Sequence, residues 1–304
     1  MMNSPVLVTG AAGGQQGKTG RRVSELLLAR GVPVRALVRR IDERSHQLRA
    51  LGAEVVEGDF LDYHSIERAV QGVSTVYFAY PVQAGLLKAT AIMADAARKA
   101  GVTRLIDMVM LVSSPDAPTP RMQENYLSEQ IFEWAGIGAA HVRATVFYEN
   151  VRSLTAATIA RDGSILLPWG SESTVIPLVA GEDVARVAAS VLISPSVTPG
   201  SSYSVIGNVL ALRDIVATFK RVLGRDVHYK EIPDKAWHDG ALARGYNEHA
   251  VEHLSRLWQS IRTLPQQFEV TDTIEKLGGK KPKAFEEFVR EQKGAFEPQA
   301  ATPA

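Results

Sequence analysis

Apolar residues recur along the first half of the chain in two different periods. Short runs rich in β-branched residues, of which residues 5–9 are the first, alternate with stretches where apolar residues recur every three or four positions, as at Val23, Leu26 and Leu27. The first pattern predicts buried strands and the second predicts amphipathic helices. Strands are predicted at residues 5–9, 32–38, 54–57, 75–80, 104–113 and 139–146, and helices at 21–30, 43–51, 66–70, 86–100 and 123–135. Strands and helices that alternate in this way predict a parallel sheet with helices packed on it.

The pattern becomes less regular after residue 150, where loops rich in Gly, Pro and Ser separate shorter elements. Further helices are predicted at residues 182–192, 212–223, 234–259, 271–277 and 284–292. We therefore expect an α/β protein with a doubly wound parallel sheet, the Rossmann fold, over residues 1–150. A smaller α+β substrate lobe is expected over residues 151–295, with some segments that return to the Rossmann sheet, and a disordered Pro/Ala-rich tail over residues 296–304.

Composition narrows the classes of function. The 304 residues include 34 Lys and Arg against 33 Asp and Glu, which argues against direct nucleic-acid binding because that needs a surplus of basic charge. The chain has no cysteine, so disulfides, thiolate catalysis, iron–sulfur clusters and cysteine zinc sites are excluded. The N-terminus lacks a signal-peptide pattern, and no run of about 18 apolar residues could span a membrane. We expect a cytoplasmic protein, monomeric or homodimeric, without membrane contact and without a metal.

A glycine-rich segment, VTGAAGGQQGKTG at residues 8–20, lies between the first predicted strand and the first predicted helix. A dinucleotide pyrophosphate binds at this junction in Rossmann folds, because backbone N–H groups and the helix N-terminus face it and a Cβ atom would block its approach. Gly10 and Gly13 fit the opening of a G-x-x-G-x-x-G turn, and Gly20 is the best candidate for the closing glycine, as though a few residues had been inserted. A flexible loop without a ligand is the alternative, but the flanking elements favour dinucleotide binding.

Short motifs with a common likeness are distributed over most of the chain. They are VTGAAG (8–13), TGRRV (19–23), VRALVR (34–39), GDFLD (58–62), SSP (113–115), SEQ (128–130), VRATVFYEN (142–150) and EDVARVA (182–188). Together they resemble the NmrA-like group of atypical short-chain dehydrogenases over about residues 6–289. That group includes NADPH-dependent quinone and azo-compound reductases, isoflavone-type reductases, and dinucleotide-sensing regulators with little or no activity. The resemblance therefore predicts the cofactor class better than the reaction.

The same resemblance implies which residues contact the cofactor. The pyrophosphate would be held around the glycine turn, the adenine would be bordered at the end of the third strand, and the cofactor would pass beside the end of the fourth. The residues are Gly10, Ala12, Gly13, Thr19 and Gly20 for the first group, Asp59 and Phe60 for the second, and Ala79 and Tyr80 for the third. Asp59 has a second interpretation as a cap of the next helix, although Asp62 is the better placed cap.

The end of the second predicted strand bears on the choice between NADP(H) and NAD(H). Enzymes that prefer NAD place an Asp or Glu about 20 residues after the glycine turn, where it binds both ribose hydroxyls. Arg39 occupies that position and Arg40 follows it. Because a guanidinium can bind a 2′-phosphate through paired, charge-assisted hydrogen bonds, NADP(H) is the expected cofactor, with NAD(H) possible. Two alternatives stay open: the arginines form a solvated rim, or Asp42 binds the ribose instead.

Tyr126 is the candidate catalytic residue. Typical short-chain dehydrogenases use Tyr-x-x-x-Lys, in which the lysine lowers the tyrosine pKa so that the tyrosine can pass a proton to the substrate. Here Gln130 stands where the lysine would be, so Tyr126 is at least as readily explained as a packing or ribose-contact residue. Aromatic and amide side chains near strand ends, which are often core residues, are the candidates for substrate binding. They are Phe147, Tyr148, Asn150 and Trp169.

The string HAVEH at residues 249–253 matches the motif of one zinc-peptidase class. No third ligand is evident, and the charged neighbours of the string indicate a solvated helix face instead. We expect an NADPH-dependent oxidoreductase that transfers hydride to a quinone or a similar conjugated small molecule, without a strong general acid. The alternative is a redox sensor that binds a dinucleotide and controls a partner protein without turnover.

Overall fold

The computed structural model describes residues 4–13, 18–263 and 268–298. Its strands are β1 (Val6–Val8), β2 (Val34–Val38), β3 (Glu54–Glu57), β4 (Thr75–Phe78), β5 (Arg104–Met110), β6 (Ala139–Ala144), β7 (Val146–Phe147), β8 (Ser164–Leu167), β9 (Val175–Val179), β10 (Ser202–Val205), β11 (Asn208–Ala211) and β12 (His228–Glu231). Its helices are α1 (Thr19–Ala29), α2 (Glu43–Ala50), α3 (Tyr63–Ala69), α4 (Leu86–Lys99), α5 (Pro120–Trp134), α6 (Tyr148–Asp162), α7 (Gly181–Ile193), α8 (Leu212–Leu223), α9 (Asp234–Ala243), α10 (Glu248–Thr263), α11 (Thr273–Gly278) and α12 (Phe285–Glu291), followed by a 3-10 helix at Lys293–Phe296.

The largest sheet has seven parallel strands in the order β10-β6-β5-β4-β1-β2-β3. Successive side chains of a strand point to opposite faces, and β1 shows the result. Val6 and Val8 pack in the core beneath α1 and α7, whereas Leu7 packs in the opposite core beneath α3, α4 and α5. The prediction of a doubly wound parallel sheet is confirmed. The chain order reverses between β1 and β4, which is where ligands bind in open α/β sheets.

A separate hydrophobic core forms the C-terminal lobe. Trp169, Phe219 and Trp258 are fully buried there, between a three-stranded sheet (β11-β9-β7), the β8–β12 pair and the surrounding helices. Two later segments pack with the large sheet instead: β10 pairs in parallel with β6, and α7 packs on α1. None of the described helices combines the length and the apolar composition that a bilayer-spanning segment needs.

Three features of the C-terminal half differ from the sequence predictions. Helix α6 was not predicted, because Thr155, a polar residue, occupies one of its buried positions and bonds the carbonyl of Val151 within the helix. The helix predicted over residues 234–259 is two helices, α9 and α10, separated near Gly245, whose φ is +79°. The prediction of a disordered tail from residue 296 is wrong at Phe296, which is fully buried against Phe219; residues 299–304 lie outside the described residues.

Candidate functional site

A cavity of about 1330 Å³ opens at the carboxyl ends of the parallel strands and extends to α10 of the C-terminal lobe. It lies at the reversal of strand order, as the fold predicts. Most of the predicted site residues line it. They are Gly10, Ala12, Gly13, Thr19, Gly20, Arg39, Asp59, Phe60, Ala79, Tyr80, Phe147 and Asn150. The fold thus brings residues from the ends of five strands, β1, β2, β3, β4 and β7, to one continuous space.

The glycine turn has two glycines with left-handed backbone and one that allows close packing. Gly10 and Gly13 have φ of +63° and +74°, and the Gly13 N–H donates to the Gly10 carbonyl over 3.0 Å. A Cβ atom on Gly20 would lie only 2.3 Å from the carbonyl oxygen of Thr9, so α1 can meet the end of β1 only with glycine there. Gly20 is therefore the glycine of close helix–strand packing. Residues 14–17, where the insertion was predicted, lie outside the described residues.

The loop after β2 gathers positive charge. Arg39 lines the cavity and has no hydrogen-bond or ion-pair partner among the described residues. Arg44, which the sequence analysis did not identify, also lines the cavity and donates from Nη1 to the Gly13 carbonyl oxygen over 3.0 Å. It follows that the first turn of α2 and the glycine turn are joined directly, through a residue whose role no sequence motif signals.

Asp42, the alternative ribose ligand, is already engaged. Its Oδ1 accepts the backbone N–H groups of Arg44 and Ser45, so it is the N-cap of α2. Its Oδ2 accepts two hydrogen bonds from the Arg44 guanidinium, which is the main cause of a lowered Asp42 pKa, with smaller effects from the backbone bonds. Because both oxygens are occupied, the structure favours Arg39 over Asp42 as the group free to bind at this end of the cavity.

The ends of β3 and β4 form the next part of the wall. Asp59 Oδ1 accepts the N–H of Leu61, whereas Asp62 accepts the N–H of His64 and caps α3, so of the two carboxylates Asp62 is the helix cap. Phe60 packs edge-on against Tyr80 with ring centroids 5.2 Å apart. Both Asp59 and Phe60 remain at the cavity surface, where the resemblance places an adenine.

Arg121 fixes the loop that follows β4. Its Nη1 donates to the carbonyl oxygen of Gln83, and its Nη2 donates to those of Tyr80 and Pro81, at 3.0–3.2 Å. The side chain is buried, and burial lowers its pKa to about 10, which leaves the guanidinium charged at neutral pH. Arg121 was not predicted. A cation held by three carbonyl groups positions this loop rigidly against α5 and adds positive potential to the cavity.

The structure does not support Tyr126 as the catalytic residue. On α5 the cavity is lined by Arg121, Met122 and Asn125, whereas Tyr126, one turn after Met122, is not among the lining residues. The comparison with Tyr-x-x-x-Lys proteins therefore predicted a position beside the cavity-lining residues of α5 but outside the lining itself. Asn125 Oδ1 accepts the N–H of Met110 over 3.2 Å and ties α5 to the end of β5.

Two of the four predicted substrate residues lie outside the cavity. Tyr148 is fully buried, donates its hydroxyl to the Lys283 carbonyl and packs on Phe285. Trp169 packs edge-on against Trp258 at 5.3 Å in the core of the lobe. Both were misjudged because a strand-end position alone does not reveal which way a large aromatic side chain points once a second core lies beside the sheet.

His253 is a further cavity residue that the sequence analysis did not identify. The solvated-face interpretation of the HAVEH string holds for His249, which is exposed, but His253 is 6% exposed and lines the cavity. Apolar residues at 250, 254 and 257 share its helix face, and this spacing was the available signal. Within the described residues, no group of three or more His, Cys, Asp or Glu side chains could hold a metal ion.

A doubly wound sheet whose carboxyl edge carries a glycine turn, an arginine-bearing loop after β2 and a cavity is typical of a dinucleotide-binding protein of the Rossmann class. The model of the NmrA-like family matches residues 2–289. The chain belongs to the NmrA-like family, as its motifs predicted.

The proteins that this chain resembles include both reductases and a transcriptional regulator. The chain is 31% identical, over 97% of its own length and all of the relative's, to a (4-alkanoyl-5-oxo-2,5-dihydrofuran-3-yl)methyl phosphate reductase of Streptomyces griseus. It shares its fold with an NADPH-dependent quinone oxidoreductase of Escherichia coli complexed with NADPH, at a TM-score of 0.79 and 22% identity over 94% of this chain and 99% of the other. It also shares its fold with NmrA, a negative transcriptional regulator in complex with NADP, at a TM-score of 0.75 and 20% identity over 95% of each chain.

Proposed function

We propose that the protein is an NADP(H)-dependent reductase that transfers hydride to an electron-poor, conjugated small molecule such as a quinone or an unsaturated carbonyl compound. The observation that carries this proposal is the continuous cavity, which joins the glycine turn and Arg39 at one end to a largely apolar space at the other. Reductases among the relatives, named for a quinone and for an oxo-dihydrofuran, support the same class of acceptor.

The residues at the first end suit a dinucleotide. Left-handed Gly10 and Gly13 leave backbone open toward the N-terminus of α1, where a pyrophosphate is favoured. Arg39 and Arg40 supply positive charge for a 2′-phosphate, with Arg44 beside the glycine turn. NADP(H) is the proposed cofactor, and NAD(H) is expected to bind more weakly. The reduced cofactor would supply the hydride when bound. Arg121 holds the loop after β4 in place on the same wall.

The residues at the other end suit an apolar acceptor. Met110, Met122, Phe147 and Leu254 are among its lining side chains, and Asn150 adds an amide. No tyrosine–lysine pair faces this space in the described residues. A conjugated acceptor fits such a site because hydride can add at carbon while negative charge moves to an oxygen, which takes its proton from water or a weak acid.

The lack of a strong proton donor also favours a second candidate, a dinucleotide sensor without turnover. The fold likeness to the regulator NmrA supports it. The two candidates differ in one measurable property: both bind a dinucleotide, but only the reductase oxidises it when an acceptor is added.

Turnover measurements separate the candidates. Purified protein is mixed with NADPH and a panel of quinones and unsaturated lactones, and NADPH oxidation is followed beyond one equivalent of protein. A reductase is expected to give steady oxidation. With the unsaturated lactones, deuterium from NADPH labelled at C4 is also expected at carbon in the reduced product. Dinucleotide binding in calorimetry without any turnover across the panel would favour the sensor. No binding of either dinucleotide would contradict both.

A further inference from the structure

His253 is a buried histidine that faces the cavity and has no role in the function proposed above. It lies on α10, in the C-terminal lobe, and its Nδ1 is 3.1 Å from the Oγ1 of Thr119 at the beginning of α5. Its second ring nitrogen, Nε2, has no hydrogen-bond partner among the described residues. The contact joins the lobe to the Rossmann domain beside the cavity and leaves one polar nitrogen for a ligand.

The contact with Thr119 determines where the imidazole proton lies. Thr119 is fully buried and is the N-cap of α5, so its Oγ1 accepts the N–H of Met122 over 3.1 Å. A buried hydroxyl must also donate its own hydrogen, and His253 Nδ1 is its one acceptor in the described part of the chain. Nδ1 therefore accepts, and the proton of the neutral ring is on Nε2.

The surroundings keep His253 neutral. Burial, and secondarily the positive charge of Arg121, lower its pKa to about 3. The N-terminus of α5, with its positive end of the helix dipole, acts in the same direction. A neutral imidazole that donates from one nitrogen can polarise a carbonyl group without the desolvation cost of a buried cation.

His253 also lies on the part of the wall where a substrate is expected. The positive charge of Arg121 lowers the pKa of His253. The same guanidinium donates to the carbonyl of Tyr80, at the end of β4, where the cofactor is expected to pass. Met122 and Leu254 line the cavity on the neighbouring positions of α5 and α10. This part of the cavity thus combines one polar nitrogen with apolar side chains. Such a composition suits a carbonyl group on an apolar ring.

We propose that His253 binds the carbonyl oxygen of the conjugated substrate through Nε2–H, an inference that rests on the proposed reductase function. Hydride from the reduced dinucleotide forms a new C–H bond at a carbon conjugated with that carbonyl, and the dinucleotide leaves oxidised. The π electrons move to the oxygen, which His253 stabilises as an enolate, and that oxygen takes its proton from water. The enol then tautomerises to the saturated carbonyl compound or, for a quinone, to the hydroquinone. The imidazole keeps its own proton, because Nδ1 already accepts from Thr119.

Substitutions on α10 test the donor. His253→Phe is expected to lower kcat/KM about 100-fold, the loss typical of one donor to a developing oxyanion, with NADPH affinity within about twofold of the parent. His253→Gln keeps an N–H donor and is expected to remain within about tenfold of the parent. His249→Phe, at an exposed position one turn earlier on the same helix and outside the cavity lining, is the matched control and is expected to have parental activity. Parental turnover in His253→Phe, or equal losses in the Phe and Gln variants, would overturn the proposal.

A measurement independent of turnover examines the same nitrogen. Nitrogen-15 NMR of the His253 imidazole in the intact protein is expected to show Nε2 protonated and Nδ1 unprotonated from about pH 8 to about pH 5. Addition of menadione is expected to shift the Nε2–H resonance of the parent and to leave His249 unchanged. Protonation at Nδ1, titration near pH 6.5, or no response to menadione would contradict the role of His253. If His253 responds as expected while no acceptor is reduced, the reductase proposal fails and the binding role remains.

Discussion

Arg39 is the side chain on which the choice of dinucleotide depends. It lines the cavity with no ion-pair partner among the described residues, whereas Asp42, which could have favoured NAD, is occupied by α2 and Arg44. A 2′-phosphate would give Arg39 charge-assisted hydrogen bonds that a 2′-hydroxyl cannot. Arg39→Ala is therefore expected to weaken NADPH binding more than tenfold, or about 1.4 kcal/mol, and to leave NADH binding nearly unchanged, as measured by calorimetry.

Arg49→Ala is the control for Arg39→Ala, because Arg49 is exposed on α2 and does not line the cavity. It should leave both affinities at the parental values. Equal losses for NADPH and NADH in Arg39→Ala, or a parent protein that binds NADH more tightly, would contradict the assignment.

Asp107 is a buried carboxyl beneath α5 that makes stability depend on pH. Burial, and secondarily the nearby Glu129, raise its pKa well above the usual value, with Ser128 donating a partly compensating hydrogen bond. The folded protein therefore retains a proton that the unfolded chain loses above about pH 4, so the free energy of unfolding falls as pH rises through the interval between the two pKa values. Asp107→Asn removes this dependence, and its stability relative to the parent is expected to increase between about pH 5 and about pH 8.

Urea denaturation at both pH values measures the effect of Asp107→Asn. Asp95→Asn is the control: hydrogen bonds from Lys99 and Tyr63 lower the Asp95 pKa to about 2, so this carboxyl is ionised in both states throughout the interval. A relative stability of Asp107→Asn that does not change with pH would show that Asp107 is ionised in the folded protein.

At the scale of elements, the junction between β1 and α1 depends on close backbone contact. A Cβ atom on Gly20 would meet the Thr9 carbonyl at 2.3 Å and the Gly10 backbone at 2.8 Å, and neither neighbour can rotate away as a side chain could. Gly20→Ala is expected to reduce the free energy of unfolding by about 3 kcal/mol, at the upper end of typical overpacking effects. Chemical denaturation without dinucleotide measures this loss.

Gly31 provides the comparison for Gly20→Ala. Its φ is +70° and no atom lies within 4 Å of the position that a Cβ atom would take, so Gly31→Ala tests backbone strain without contact. It should cost about 1–2 kcal/mol. A Gly20→Ala variant no less stable than Gly31→Ala would mean that α1 can move away from β1 at little cost.

Helix α5 illustrates how one element serves both the core and the cavity. Met122 and Asn125 line the cavity, while Ser128 bonds Asp107 and Glu129 forms a bidentate ion pair with Arg143 of β6. Ser128 and Glu129 thus hold the helix on the sheet. The chemistry of the site is left to the beginning of α5 and to the facing helix, α10.

At the scale of the whole molecule, the end of the chain closes the C-terminal lobe. Phe296 is fully buried with its ring 5.0 Å from that of Phe219, and Arg225 donates to the Phe296 carbonyl. Phe296→Ala is expected to reduce the free energy of unfolding by about 3–5 kcal/mol, because a large buried side chain is replaced by a cavity. Trp134→Ala, which removes an aromatic ring that is 76% exposed, should change it by less than about 0.5 kcal/mol.

Urea denaturation monitored by circular dichroism compares these two variants. A Phe296→Ala protein within about 1 kcal/mol of the parent would show that the last turn packs loosely and that the lobe is stable without it.

The amino-acid sequence by itself determined the doubly wound sheet, the position of the glycine turn and the arginine at the end of β2. These features depend on local periodicity and on residues that are neighbours in the chain, and the strands and helices formed close to their predicted positions. The prediction of the NmrA-like family rested on motifs of the same local kind.

Only the tertiary structure decided which side chains face the cavity. Tyr126 is not among the residues that line the cavity, and Tyr148 and Trp169 entered a second core that lies beside the strand ends. His253 reached the cavity by a contact with Thr119, 134 residues earlier in the chain. Side-chain direction at such positions depends on packing between segments far apart in sequence. Local patterns indicate it only in part, as the apolar spacing around His253 does.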